Sequence, residues 1–149
     1  MAFGAPSLKG RALRLLSQRE HSRAELERKL RKYEEEPGTL ARALDELAAK
    51  DFISEARVVQ SVLHQRAARM GAARVRQELL HKGIAPEAVA EAVAGLQGSE
   101  FERALEVWKR RFGAAPQDAT ERARQVRFLM ARGFAGGVVA KVLRHQPGD

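Results

Sequence analysis

The chain has 149 residues, 27 Lys and Arg against 19 Asp and Glu, a formal net charge of +8 and no cysteine. Disulfides are excluded, and a structural zinc site would need His and carboxylate ligands alone. With 44% hydrophobic and 31% charged residues it reads as a folded protein, not a disordered tail, and no run approaches the ~18 apolar residues that span a bilayer. Residues Met1 to Leu8 lack the charged start and apolar stretch of a secretory signal, so the chain is expected in the cytosol. Aromatics are 5% and alternating β-branched runs are missing, which predicts helix throughout. Leu13 and Leu16 make the first apolar stripe. Ser22 with Glu25 has capping-box spacing and opens a helix carrying Leu26 and Leu30. The run Glu34-Glu35-Glu36 before Pro37 reads as a solvated turn. Leu40, Leu44 and Leu47 follow, then Val58 and Val62, with a stop expected at Gly71. Val75 and Leu79 lead to Lys82-Gly83-Ile84, a helix end in which a cation faces the negative terminus and Gly takes the left-handed turn. Pro86 fits a first helical position before Val89, Val93 and Leu96. Ser99 with Glu102 forms a second expected capping box, followed by Leu105, Trp108 and Phe112 and a stop at Gly113. Val126 and Leu129 end at Arg132-Gly133-Phe134, and Val139 and Leu143 mark the last of about nine helices.

These stripes repeat. A shift of 49 residues carries Leu26, Leu30, Pro37, Leu40, Leu44 and Leu47 onto Val75, Leu79, Pro86, Val89, Val93 and Leu96. A shift of 50 carries Leu79, Lys82, Gly83, Ile84, Val89 and Val93 onto Leu129, Arg132, Gly133, Phe134, Val139 and Leu143. The expected fold is all-α: three tandem three-helix repeats at residues 8–53, 54–98 and 99–146, stacked into an elongated, curved array. One repeat can hardly bury its own faces, so neighbours supply much of the core.

No catalytic constellation is present. His21, His64, His81 and His145 are far apart, and none has the i+4 His or Cys partner of a metal site. No Gly-rich loop ends in Lys-Ser or Lys-Thr. The chain is read as a non-enzyme with no cofactor and no metal. Trp108 and Phe112 share the stripe of Phe101 and Leu105, which makes them core. Without exposed aromatics among the cations, sequence-specific single-strand readout is not expected.

The cations are the informative set, and 20 of the 27 are Arg. Arginine forks onto phosphates and carboxylates and keeps its charge when half-buried. Residues 1–53 hold eleven cations and nine acids, interleaved as expected pairs Glu25–Lys29 and Glu27–Arg31. The excess falls later. Arg66, Arg69, Arg74, Arg76 and Lys82 face only Glu78, and Arg122, Arg124, Arg127, Arg132, Lys141 and Arg144 meet only Asp149 after Glu121. Such a set attracts an anionic partner, and a stand-alone DNA-binding or nucleoid protein is one reading.

The residues also resemble a known family, the RecX-type regulators of the bacterial recombinase RecA. The clearest signature is Asp51-Phe52-Ile53-Ser54-Glu55-Ala56-Arg57, then Arg66, then Gly71 through Ile84. Ser22-Arg23-Ala24-Glu25-Leu26-Glu27-Arg28-Lys29-Leu30 resembles the family's first repeat, and Arg127-Phe128-Leu129-Met130-Ala131-Arg132-Gly133-Phe134 its third. One departure is Tyr33-Glu34-Glu35, where the family often has a Gly-apolar stop. The resemblance implies a monomeric, cytoplasmic modulator of recombination and repair that binds the RecA–single-stranded-DNA filament and inhibits its ATPase, strand-exchange and coprotease activities. It implies only weak, non-specific binding to naked DNA. The candidate filament- or nucleic-acid-binding surface is Arg57, Arg66, Arg69, Arg74, Arg76, Lys82, Arg124, Arg127 and Arg132.

Overall fold

A computed structural model describes residues 5–145. The reading of the chain's first four residues, and Gln146 at the end of the third expected repeat, lie outside the described residues. The order is α1 (Leu8–Gln18), α2 (Arg23–Leu30), a 3-10 turn (Arg31–Tyr33), α3 (Thr39–Ala49), α4 (Glu55–Arg66), α5 (Ala72–His81), α6 (Pro86–Gln97), α7 (Glu100–Arg111), α8 (Ala119–Ala131) and α9 (Gly136–Leu143). Among the described residues there is no strand. The fold is all-α, as the periodicity predicts. The residues gather into two compact units, one reaching Ser61 and including His81–Ile84, the other formed by Val62–Leu80 and the chain from Ala85 onward.

In the first unit, Ala12, Leu26, Leu30, Leu40, Leu44 and Leu47 make one core, flanked by Leu8, Leu13, Leu15, Leu16 and Ile53. Each fully buried Leu contributes about 2 kcal/mol. The Ser22 capping box forms: Ser22 Oγ accepts the Glu25 N–H at 3.1 Å and Glu25 Oε1 accepts the Ser22 N–H at 3.0 Å. That geometry turns Glu25 back toward the helix start, so the expected Glu25–Lys29 pair is not made. Glu25 instead meets Arg19 at 2.7 Å and Lys82 at 3.3 Å, and Glu27 meets Arg23 rather than Arg31. Lys29 Nζ lies 2.9 Å from Nε2 of the buried His21. The departure at Tyr33 has a simple form: α2 stops at Leu30 and tightens into the 3-10 turn. Glu34 is not merely solvated, because its carboxylate accepts the Leu40 N–H at 2.9 Å and caps α3, whose own N-cap Gly38 has no side chain.

In the second unit the core is Ala104, Val107, Trp108, Leu129, Phe134, Val139 and Val142. Trp108 is core, as its stripe predicts, and its Nε1–H donates to Gln125 Oε1 at 2.8 Å. The expected Ser99–Glu102 box does not form. Ser99 has φ −109° and ψ 4° and makes no cap bond; its hydroxyl donates to the Leu96 carbonyl and accepts from Arg103.

The repeated cation-Gly-apolar stops are joints. In the first unit, Ser22 Oγ donates to the Lys82 carbonyl, and a Cβ on Gly83 would lie 2.5 Å from Ala24 Cβ. In the second unit, the Arg132 and Gly133 carbonyls accept the N–H groups of Gly71 (2.7 Å) and Ala73 (3.3 Å), and a Cβ on Gly133 would lie 2.5 Å from the Arg74 backbone nitrogen. Ala24 and Arg74 are fifty residues apart, as are Gly83 and Gly133. Each joint uses the spare carbonyls that end one helix against the start of another. Gly71, expected at a stop, lies in the break between α4 and α5. It opens α5, and a Cβ there would lie 2.2 Å from the Gly133 carbonyl oxygen.

Candidate functional site

Seven of the eight ion pairs among the described residues lie in the first unit, and only Arg66–Glu78 lies in the second. Three further carboxylates of the second unit are spent on backbone N–H groups. Glu100 is buried and accepts the Ala72 N–H at 2.7 Å, and Asp118 and Glu121 cap the start of α8. Its cations lie over rings instead: Arg132 at 4.9 Å from the Phe128 centroid, Arg111 at 5.3 Å from the same ring, Arg124 at 5.8 Å from Phe112, and Lys141 at 4.4 Å from Phe101. A cation over a ring face keeps its full charge and its N–H donors, so it stays available to an anion.

Part of this set converges on a groove of about 460 Å³ between the residues after α4 and helices α7 and α8. Its walls carry Arg69, Arg103, Arg110, Arg111 and Arg132 over Val107 and Phe128, with Glu102 and Glu106 as the only acids. Arg132 Nη1 donates to the Arg69 carbonyl at 3.5 Å, tying two of the expected residues together.

The remaining expected residues divide. Arg124 and Arg127 are exposed on α8, and Arg74 and Arg76 are exposed on α5 with no ion pair among the described residues. Arg66 pairs with Glu78 at 3.3 Å. Arg57 is clamped in the first unit by Glu20 at 2.9 Å and Asp51 at 3.1 Å. Lys82 has a side chain only 17% exposed, neutralised by Glu25. These last two hold the first unit together rather than present charge.

Sequence reasoning missed Arg103. Its guanidinium donates to the carbonyls of Ala67 (2.8 Å), Met70 (2.6 Å) and Leu96 (3.0 Å), fastening the turn after α4. Burial pushes its pKa down while Glu100 opposes the shift. Nothing in sequence marks it, because its acceptors are backbone atoms of distant turns. Also missed was Tyr33, which is 39% exposed with the Arg11 guanidinium 3.7 Å above its ring, so an aromatic does stand among the cations. Among the described residues no cluster of three metal-ligating side chains occurs, and no helix is long and apolar enough to cross a membrane.

Models of the first, second and third three-helix domains of RecX match residues 9–47, 54–93 and 99–143 in turn. The chain belongs to the RecX family. It is 56% identical to the regulatory protein RecX of Leptothrix cholodnii, over 97% of this chain and 93% of that one. It is 49% identical to the regulatory protein RecX of Ralstonia nicotianae, over 93% and 87% respectively. A crystal structure of RecX from Lactobacillus salivarius superposes with a TM-score of 0.71 at 20% identity, covering 92% of each chain. A second crystal structure, of a regulatory protein RecX, gives the same TM-score at 18% identity over 93% of this chain and 72% of that one. These two likenesses show the fold. The three RecX domain models fall on the three runs of helices that the internal repeat marks out, and the relatives' names place the chain among regulatory proteins.

Proposed function

We propose that this chain is a non-enzymatic regulator that binds the RecA–single-stranded-DNA filament and inhibits its ATPase, strand-exchange and coprotease activities. The observation that carries this reading is the free guanidinium surface of the second unit, on a chain of the RecX family. Arg69, Arg110, Arg111 and Arg132 around one groove, with Arg74, Arg76, Arg124 and Arg127 exposed nearby in sequence, offer forks that fit acidic side chains and phosphates alike. The three repeats, which we place at residues 8–53, 54–98 and 99–146, supply several weak contacts to a polymeric partner, and linked weak contacts give avidity without one tight site. As a regulator of recombination and repair it acts in the cytoplasm as a monomer.

The test is DNA-dependent ATPase of a RecA recombinase titrated with the wild-type chain and with Arg69→Glu/Arg132→Glu. Inhibition by the wild type at micromolar concentration, lost in the variant at unchanged helical content, is the expected result. Normal inhibition by the variant would move the filament surface to another face. Absence of inhibition by the wild type, together with tight recombinase-independent DNA binding, would favour a stand-alone DNA-binding protein.

A further inference from the structure

The first unit holds a second cationic groove, which the near-balanced charge of residues 1–53 conceals. It measures about 420 Å³ and runs between α1 and the end of α2 with its 3-10 turn. Arg11 and Arg14 stand on one wall, Arg28, Lys29 and Lys32 on the other, with Tyr33 at the rim, and no carboxylate lines it. Most acids of this unit are drawn off elsewhere: Glu25 and Glu27 to Arg19, Lys82 and Arg23, Glu34 to the start of α3, Glu46 to Lys9, Asp45 to Arg23, Glu20 and Asp51 to Arg57, while the exposed Glu35 and Glu36 follow Tyr33 in the turn but do not line the groove. Arg11, Arg14, Arg28 and Lys32 make no ion pair among the described residues.

We propose that this groove is a track for single-stranded nucleic acid, in which the guanidinium and ammonium groups meet successive phosphates and Tyr33 stacks against a base. The layout favours a polymer over a free nucleotide. Arg11 and Arg14 are three residues apart on one helix, and Arg28 and Lys32 four apart on the other wall, so charge is spread by about one helical turn along each side rather than gathered at a point. Tyr33 stands within this charge, with the Arg11 guanidinium 3.7 Å and the Lys32 ammonium 5.3 Å from its ring centroid, and 39% of the residue stays open. Ring and cations together are the two elements of sequence-tolerant single-strand binding. This site needs no recombinase and is built by residues of the first unit alone, so it stands or falls independently of the filament reading.

The test is fluorescence anisotropy of a labelled oligothymidine strand with the full chain. Arg14→Glu/Lys32→Glu should weaken binding at least tenfold and make the slope of log affinity against log salt shallower by about 1.4, the share of two phosphates. Tyr33→Leu should weaken it about tenfold while Tyr33→Phe retains it. The charge-matched control Arg42→Glu/Lys50→Glu, on α3 and at its C-terminal cap, outside the groove, should stay within twofold. Equal losses in both double variants would reduce the effect to net charge and overturn the proposal. So would displacement of the strand by ATP or polyglutamate at matched charge. On the unaltered chain, a bromouracil-substituted strand should photocrosslink at Tyr33; adducts confined to residues beyond 98 would also overturn it.

Discussion

Replacing Gly133 by Ala probes the joint that the repeat depends on. At φ +90° an L-residue is strained by about 1–2 kcal/mol. The added Cβ would also lie 2.5 Å from the Arg74 nitrogen and Cγ and 2.7 Å from its Cβ. Cγ can swing away, but the nitrogen is in the first turn of α5, held by the Gly71 carbonyl at 3.1 Å. Relieving the clash therefore means moving α5 away from the end of α8, an overpacking cost of about 1–3 kcal/mol. The sum is about 2–5 kcal/mol. For a chain of this size that lowers the melting temperature by about 5–15 °C. Gly95→Ala is the internal control. Gly95 lies within α6 with nothing within 4 Å of its Cβ position, so the substitution should stabilise by about 0.5–1 kcal/mol through helix propensity. Thermal and urea unfolding followed by circular dichroism reads both. A Gly133→Ala protein that melts with the wild type would refute the joint as described.

Gly83→Ala, with φ +79° and Ala24 Cβ 2.5 Å from the added carbon, should show a loss of similar size in the same melts. Burial alone would raise the Glu25 pKa, but the Arg19 hydrogen bond, the Ser22 N–H and the charges of Lys82 and Arg19 outweigh it and hold the carboxyl at about 2. Since its ordinary value is 4.5, this contributes about 3 kcal/mol, fully present above about pH 5 and lost as pH falls toward 2. Glu25→Gln should therefore lower the urea midpoint at neutral pH and flatten its acid limb; an unchanged acid limb would show that the carboxylate does not report on folding. Burial pushes His21 below 6.5, so the folded state favours the neutral ring, and a smaller share of stability should fade as pH drops below that value. His21→Gln should remove that upper step in the same pH series. Arg103→Met leaves three carbonyls without their donor and should cost about 2–4 kcal/mol, partly restored by Lys. A melt within error of wild type would mean that water replaces the guanidinium freely.

Helix content, the stripes and the repeat were readable because they are local. Leu26, Leu44, Val75, Leu79, Val89, Leu129 and Val139 recur at three and four and are all buried. Capping was half readable. Ser22 takes the extended backbone that a cap needs, whereas Ser99 sits at ψ 4° and turns its hydroxyl onto the preceding turn. The ion pairs were not readable. Spacing offered Glu25 to Lys29, yet the capping box had already turned that carboxylate the other way, toward Arg19 and Lys82. Among the candidate site residues, Arg57 and Lys82 look in sequence like any other free cation. What separates them from Arg69 or Arg76 is a carboxylate distant in sequence, Glu20 for Arg57 and Glu25 for Lys82.

By itself the amino-acid order determined the all-helical class, the number of helices, the fifty-residue period and the excess of arginine, since all of these follow from side-chain spacing within one or two turns. Only the folded chain decided which arginines keep their charge free, that Gly71 and Gly133 must lack side chains because two backbones meet there, and that a balanced stretch hides a groove whose charged lining residues are all cations. The physical reason is that charge neutralisation and close backbone approach are set by neighbours tens of residues away, whose positions depend on how the apolar stripes pack.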